Sequence, residues 1–428
     1  MTGTMTSKIL ARAAGRDHVE IGDVISARVD VLTVADTQRF IDVMNDDGLA
    51  VWDPKRIVFC FDHYFEDWLP SGAVRAHPKI RDFARRQGIP EENIYADDRR
   101  GLSHQVPVEQ GWILPGTVCP GADTQAATMG AMNCFSIPTL SSGTTAVVLT
   151  GELWQVVPEA VSVRFTGRLS PGTLGKDVVY RLIHDLGELV RGRVIEASGP
   201  GLASMPVDVR MAIANGSIQM GAQTMIFPPD EVLLDYLDGR ARETFTPVAP
   251  DPDAQYVSSW EYDLATIRPL VSGPDDIDLI RDVSELAGLA VNAAYIGSCS
   301  SGRLEDLELA ARVLRGRHVD PSVRLVVTPI STTVAHEAES RGLLQTFRDA
   351  GATVTPPGCG ACYHGNASPL KLADGERCIS ASVENLAGRM GSTSAEILLA
   401  SAGTVAASAI TGSIRPAADY LDDPGADA

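Results

Sequence analysis

The chain has 428 residues, more than one ordinary hydrophobic core holds, so two or three domains are expected. Its 36 basic residues stand against 55 acidic ones for a net charge of −19, with no Lys/Arg run, which excludes the basic stripe that a nucleic-acid surface needs. No window of ~18 uninterrupted apolar residues predicts a membrane span, residues 1–8 lack the apolar core of an export signal, and seven dispersed cysteines suit a reducing cytoplasm.

In chain order, a short helix is expected over Ile9–Ala14 and one strand of alternating Val and Ile over Asp23–Thr33. Ile57–Cys60 reads as an apolar strand ending in Asp62-His63. A carboxylate beside an imidazole raises the pKa of the ring and tunes a proton donor. Adjacent strand residues point to opposite faces, so that pairing needs a turn. Leu102-Ser-His104-Gln105 precedes an expected strand, Gly111–Val118, which runs into Cys119-Pro-Gly-Ala-Asp123-Thr124-Gln125. Gly130–Thr150 is rich in small residues and helical in parts, and Glu152–Val157 closes the first unit. A second begins with strand Ala160–Thr166, followed by helix Asp177–Leu189. An acidic, Pro-rich stretch ends in a linker over Pro247–Asp253.

The third unit carries three cysteines in a telling arrangement. The apolar run Leu289–Ile296 reads as a buried strand, and Leu304–Leu314 has helical spacing, so Cys299 lies at a strand-to-helix turn. Backbone N–H groups and the helix dipole favour an anion there. Strand Val323–Val327, helix His336–Ala350 and strand Ala352–Val354 then lead to Pro356-Pro-Gly-Cys359-Gly-Ala-Cys362-Tyr363. In a parallel sheet both cysteine sites fall at carboxyl ends of strands, where such folds place ligands. Three thiolates do not close a structural site: tetrahedral zinc takes four ligands, and a four-iron cluster held wholly by protein takes four cysteines. Three on a four-iron cube leave one iron open as a Lewis acid. A zinc site completed by a His such as His364, and a redox Cys-x-x-Cys with Cys299 a bystander, stand as alternatives. Cys60, Cys119, Cys134 and Cys378 have apolar surroundings and read as core thiols.

Gly297-Ser-Cys299-Ser-Ser-Gly-Arg303-Leu-Glu-Asp-Leu, the Pro-Gly-Cys359-x-x-Cys362 turn and Gly388-Arg389-Met-Gly resemble the aconitase superfamily, above all the large subunits of 3-isopropylmalate dehydratase and homoaconitase-like enzymes. The likeness runs from about Lys8 to Ile414. It implies three tandem α/β/α domains, about 1–158, 159–284 and 285–428, around a cleft holding a [4Fe-4S] cluster on Cys299, Cys359 and Cys362 with one open iron. It also implies that Asp62 and His63 protonate a departing hydroxyl and that His104 and Asp123 are active-site groups. Where the relatives read Asp-Ser-His, this chain has Asp123-Thr124-Gln125; an amide orients water or substrate but cannot relay a proton. The segment Asp208–Ala222 resembles a family helix with an Asn and, one turn on, a Glu; Asn215 matches and Gln219 replaces the carboxylate.

A second departure concerns the substrate. Val383-Glu384-Asn385 stands where the relatives carry Asn-Arg-Asn, whose Arg grips a substrate carboxylate, while Asn385 and Arg389 remain. Two anions a few ångströms apart repel by ~4 kcal/mol at an intermediate dielectric. Unless Glu384 turns outward onto an Arg, the group facing it is not the usual carboxylate. The resemblance further implies a separate small subunit carrying a swivelling domain and a serine base. The expected function is a hydro-lyase of a hydroxy acid other than 3-isopropylmalate. A different lyase or isomerase step at the open iron, and a non-catalytic iron-sensing protein, are the alternatives.

Overall fold

A computed structural model describes residues 3–36, 40–46, 48–63, 76–140, 142–362, 368 and 370–421; Tyr363 and His364 lie outside the described residues. The architecture is α/β, built on predominantly parallel sheets. One four-stranded parallel sheet runs in the order Ile94–Tyr95, Ile57–Cys60, Leu32–Ala35, Gly121–Ala122. A second runs Ser258–Asp263, Ala160–Thr166, Val194–Ser198, Thr224–Ile226. The third has seven strands in the order Ile280–Asp282, Leu270–Ser272, Glu396–Leu399, Arg377–Ser380, Ala293–Ile296, Arg324–Val327, Thr353–Val354, parallel except for Leu270–Ser272, which pairs antiparallel on both sides. The central strands are short apolar runs, as expected of sheets covered by helices on both faces. One apolar core is continuous through the second and third sheets, and another surrounds the first, where Phe40 and Phe59 set their edges against Phe83. Among the described residues no helix is long and apolar enough to cross a membrane.

Several expected elements differ. Asp23–Thr33 is two strands: Val24–Arg28 pairs antiparallel with Glu152–Val156, while Leu32–Ala35 enters the first sheet. Between them Asp30 turns the chain, its amide on Val118 O and its carboxylate on Val118 N, both at 2.9 Å. Gly111–Val118 forms no strand, because Gly111 and Gly116 both take positive φ and Gly116 N bonds to Asn133 O. The helix expected over His336–Ala350 is two, Thr332–Ser340 and Leu343–Asp349, separated by left-handed Gly342. The helix bearing Asn215 ends at Gly216, where Ser217 Oγ bonds back to Ala214 O; Gln219 lies in the following 3₁₀ turn, so the two do not share a helix face. Strands Leu270–Ser272 and Ile280–Asp282, ahead of residue 285, pair with the third sheet.

Strand ends of the first and third sheets converge. His63 follows Ile57–Cys60, Asp123 follows Gly121–Ala122, Cys299 follows Ala293–Ile296, Cys359 follows Thr353–Val354, and Glu384 follows Arg377–Ser380. Each strand delivers its chemistry at its carboxyl end.

Candidate active site

These ends meet in one cavity, lined by His63, His104, Asp123, Thr124, Gln125, Cys299, Cys359, Cys362, Val383, Glu384 and Arg389 over a floor of Leu102. It measures ≈ 370 Å³ with its mouth included and encloses only ≈ 40 Å³, because the side chains lie close together. Of the residues singled out in the sequence, Asp62 stands behind this wall as the partner of His63, and Asn215, Gln219 and Asn385 are not part of it.

Local backbone chemistry fixes the two cysteine turns. At Gly297 a Cβ would sit 2.7 Å from Thr328 O and Tyr295 Oη. At Gly360, with φ +59°, it would fall 2.4 Å from Thr328 Oγ1 and Tyr295 Oη, so both positions require glycine. Tyr295 Oη donates to Cys359 O at 2.9 Å, and Cys359 N donates to Asp62 O at 2.9 Å, which ties the second turn to the end of a first-sheet strand. The buried Arg303 donates from Nη1 to Cys299 O at 2.7 Å and from Nε to Gln105 Oε1 at 2.9 Å, fastening the first turn to the segment beside His104. All seven cysteines are free and buried. The Cys359 thiol donates to Cys362, which holds Cys362 well below the usual thiol range against the opposing effect of burial, with the Arg389 guanidinium helping; Cys359 is pushed up in return.

The acid side is a chain of carboxylates and imidazoles. His63 Nδ1 lies 2.6 Å from Asp62 Oδ1, and Asp62 Oδ2 accepts from Ser103 N at 3.0 Å. Asp36 Oδ1 accepts from His63 N at 3.1 Å, and Asp36 Oδ2 lies 2.9 Å from His77 Nε2. Burial works against charge on His63, but Asp62 and Asp36 prevail and raise its pKa well above the ordinary value. Burial pushes Asp62 up to about 6, whereas the two histidines hold Asp36 down against the same burial. His104 Nδ1 is 3.4 Å from Asp123 Oδ1; burial opposes its charge, and Asp123 and Cys299 raise it to about 9. Asp123 in turn is held below the carboxylate range by His104, His63 and the Gln125 amide, although burial opposes this. His63 Nε2 stands 3.9 Å from Asp123 Oδ2.

Glu384 neither leaves the wall nor stands alone: its Oε2 lies 3.0 Å from Arg389 Nη1, and Arg389 Nε donates to Cys362 O at 2.7 Å. The negative charge offered by Glu384 is thereby offset within the wall, a correction to the bare carboxylate expected from sequence. Asn215 Nδ2 donates to Thr128 Oγ1 at 2.9 Å, and Gln219 Nε2 donates to Val383 O, so Gln219 braces the segment bearing Glu384. Three buried groups at or beside the site were absent from the sequence reading as site residues: Asp36, Lys176 and Arg303. Asp36 carries a legible signal, an acid directly after the apolar run Val31–Ala35.

The donor chemistry fits an iron–sulfur group. Three sulfur donors share a buried cavity, and in its wall His104 Nε2 and Gln125 Oε1 are buried without hydrogen-bond partners among the described residues. Orphaned groups cost ~1–3 kcal/mol each, a cost that a bound non-protein group offsets.

A family model described as "Aconitase family (aconitate hydratase)" matches residues 76–289 and 280–412. The chain belongs to the aconitase family. It is 41% identical to the 3-isopropylmalate dehydratase large subunit 1 of Methanopyrus kandleri, covering 98% of this chain and all of that one. It is 37% identical to the 3-isopropylmalate dehydratase large subunit 2 of Rubrobacter xylanophilus, covering 99% and 100%. It is 38% identical to a probable methanogen homoaconitase large subunit of Methanothermobacter thermautotrophicus, covering 96% of each. As an aconitase-family member it is a hydro-lyase, and the family implies an iron–sulfur cofactor.

Proposed function

We propose that this chain is the large subunit of a two-subunit hydro-lyase. It holds a [4Fe-4S] cluster on Cys299, Cys359 and Cys362 with one iron open, and acts on a small hydroxy acid other than 3-isopropylmalate. The observation that carries the reading is the meeting of three buried thiols and the His63–Asp62 pair in one cavity. Such a cluster supplies Lewis acidity toward a substrate hydroxyl. The residues of this chain do the rest. His63, held protonated by Asp62 and Asp36, delivers a proton to the departing hydroxyl. Asp123 holds His104 and faces His63, fixing both rings. Gln125 offers an unpartnered amide oxygen to water or substrate and relays no proton. Removal of the α-proton falls to the partner subunit, whose existence is supported by relatives named as large subunits that this chain matches end to end.

The substrate assignment rests on the Glu384–Arg389 pair. The guanidinium in the wall is already engaged by Glu384 and by Cys362 O, so a neutral pair meets the substrate where the resemblance implies an arginine. A group able to hydrogen-bond to such a pair, for instance an amide, amino or phosphorus-bearing group, suits it better than an isopropylmalate carboxylate. We divide the chain into three α/β units near 1–158, 159–268 and 269–428, the second boundary drawn ahead of the strands that join the third sheet. Seven free thiols suit a cytoplasmic site.

Anaerobic reconstitution with iron and sulfide is expected to give broad visible absorbance and about four irons per chain. Cys299→Ala should lose both. Tightly bound zinc without iron after anaerobic purification would overturn the assignment.

A further inference from the structure

Lys176 sits at the start of helix Gly175–Leu186, packed with the second sheet, yet its side chain reaches into the cysteine-bearing unit. It is buried, 3% exposed, and its Nζ donates to Ser300 Oγ at 2.9 Å, to Ala381 O at 2.9 Å and to Ser382 O. All three acceptors are neutral oxygens, and no carboxylate among the described residues pairs with it. A buried ammonium without a counter-ion is costly. The acceptors place the charge between the two cysteine loops: Ser300 follows Cys299, and Ser382 precedes Val383, whose backbone N–H bonds to Cys362. Burial works against its charge and lowers its pKa to about 8, with Cys299 and Cys362 first among the groups that oppose this.

We propose that Lys176 is the resident counter-charge of the iron–sulfur group: its ammonium offsets the net negative charge of the cluster with its three thiolates, raises the reduction potential and protects against oxidative loss. The inference rests on the cluster reading above. Net charge and hydrogen bonding around the sulfurs set the potentials of such groups. A fixed cation stabilises the reduced, more negative form more than the oxidised one. Lys176 is a positioning residue here and is not placed in contact with substrate.

The test is a mediated redox titration of the reconstituted full chain, followed by electron paramagnetic resonance, with iron content and melting temperature measured in parallel. Lys176→Met, of similar length and neutral, is expected to shift the potential negative. The shift should be about tenfold in the reduced-to-oxidised ratio at fixed poise, ~59 mV for one electron. It should also speed iron loss in air. Lys176→Arg, which keeps the charge, should return the potential toward that of the native chain. If the Met variant loads iron and melts lower but keeps the native potential, Lys176 only braces the two units and the proposal falls. If the Met variant does not fold, Lys176→Gln, which keeps a hydrogen-bond donor, decides by the same criterion. Failure of the native chain to take up iron would instead overturn the cluster reading, and this inference with it.

Discussion

Glu384 lies where the family resemblance implies an arginine, and its meaning depends on a neighbour five positions on. Arg389 pairs with it at 3.0 Å while both line the cavity, so the substitution replaces a charged grip with a neutral pair. Sequence supplied both residues but not the pairing, since side-chain direction is a tertiary outcome. The same holds for Asp36, Lys176 and Arg303, whose partners lie 27, 124 and 198 positions away. The cysteines were legible because their chemistry is compressed into short motifs, whereas the Asp62-His63 dipeptide was singled out through the family resemblance. A charge-assisted bidentate grip contributes ~1.5–3 kcal/mol, roughly one to two decades in kcat/KM. The native enzyme, reconstituted and complexed with its partner, should therefore handle 3-isopropylmalate at least that far below an ordinary enzyme. Glu384→Gln, which frees the Arg389 charge, should recover about tenfold or more on a carboxylate-bearing malate. Steady-state kinetics on 3-isopropylmalate, citrate and 2-methylmalate measure this. An ordinary kcat/KM of the native protein on 3-isopropylmalate would refute the altered-substrate reading.

At the scale of elements, the strand-to-turn junctions were legible and the interruptions were not. Apolar runs such as Ile57–Cys60 and Ala160–Thr166 announce buried strands, and both cysteine turns follow parallel strands as the pattern predicts. The two-strand split of Asp23–Thr33 escaped because one acid, Asp30, turns the chain through contacts with the distant Val118. Glycines decide the remaining cases, and they differ in kind. Gly342 ends a helix at φ +73° with nothing near its absent Cβ, so Gly342→Ala should cost only ~1 kcal/mol, without effect on iron content. Gly360 is left-handed and also closed in by Thr328 and Tyr295, the residue whose hydroxyl holds the Cys359 carbonyl. Gly360→Ala must displace that hydroxyl or the turn itself. It should lower the melting temperature further than Gly342→Ala and leave substoichiometric iron after anaerobic reconstitution. Iron per chain against thermal denaturation of the two variants separates the cases; full iron in Gly360→Ala would mean that the turn tolerates movement.

For the whole molecule, the alternation of apolar runs and helical spacing announced α/β units and the family resemblance supplied their expected number, but the convergence of strand ends is a property of the assembled chain alone. That convergence brings a charge balance into view. Among the described residues of the cavity wall, the cation of Arg389 faces Glu384, and His63 and His104 face Asp123 with Asp62 behind. Each cation is thus committed to a carboxylate, and a small hydroxy acid carrying negative charge finds no spare counter-charge here. On the two-subunit reading proposed above, further cations and a base for the α-proton come to the mouth of the cavity from another chain, in keeping with relatives named as large subunits. A partner that presents basic groups to a chain of net charge −19 associates with electrostatic assistance, which salt screens. The isolated chain should therefore hold its cluster and turn over nothing. Added small subunit should restore activity saturably, with an apparent Kd that weakens as ionic strength rises from about 0.01 M, where the screening length is roughly 30 Å, to about 0.15 M, where it is roughly 8 Å. Titration of activity against the small subunit at several salt concentrations measures both effects. Full turnover by the cluster-loaded chain alone would show that the cavity already carries its base and its counter-charge, and that the committed ion pairs open when substrate arrives.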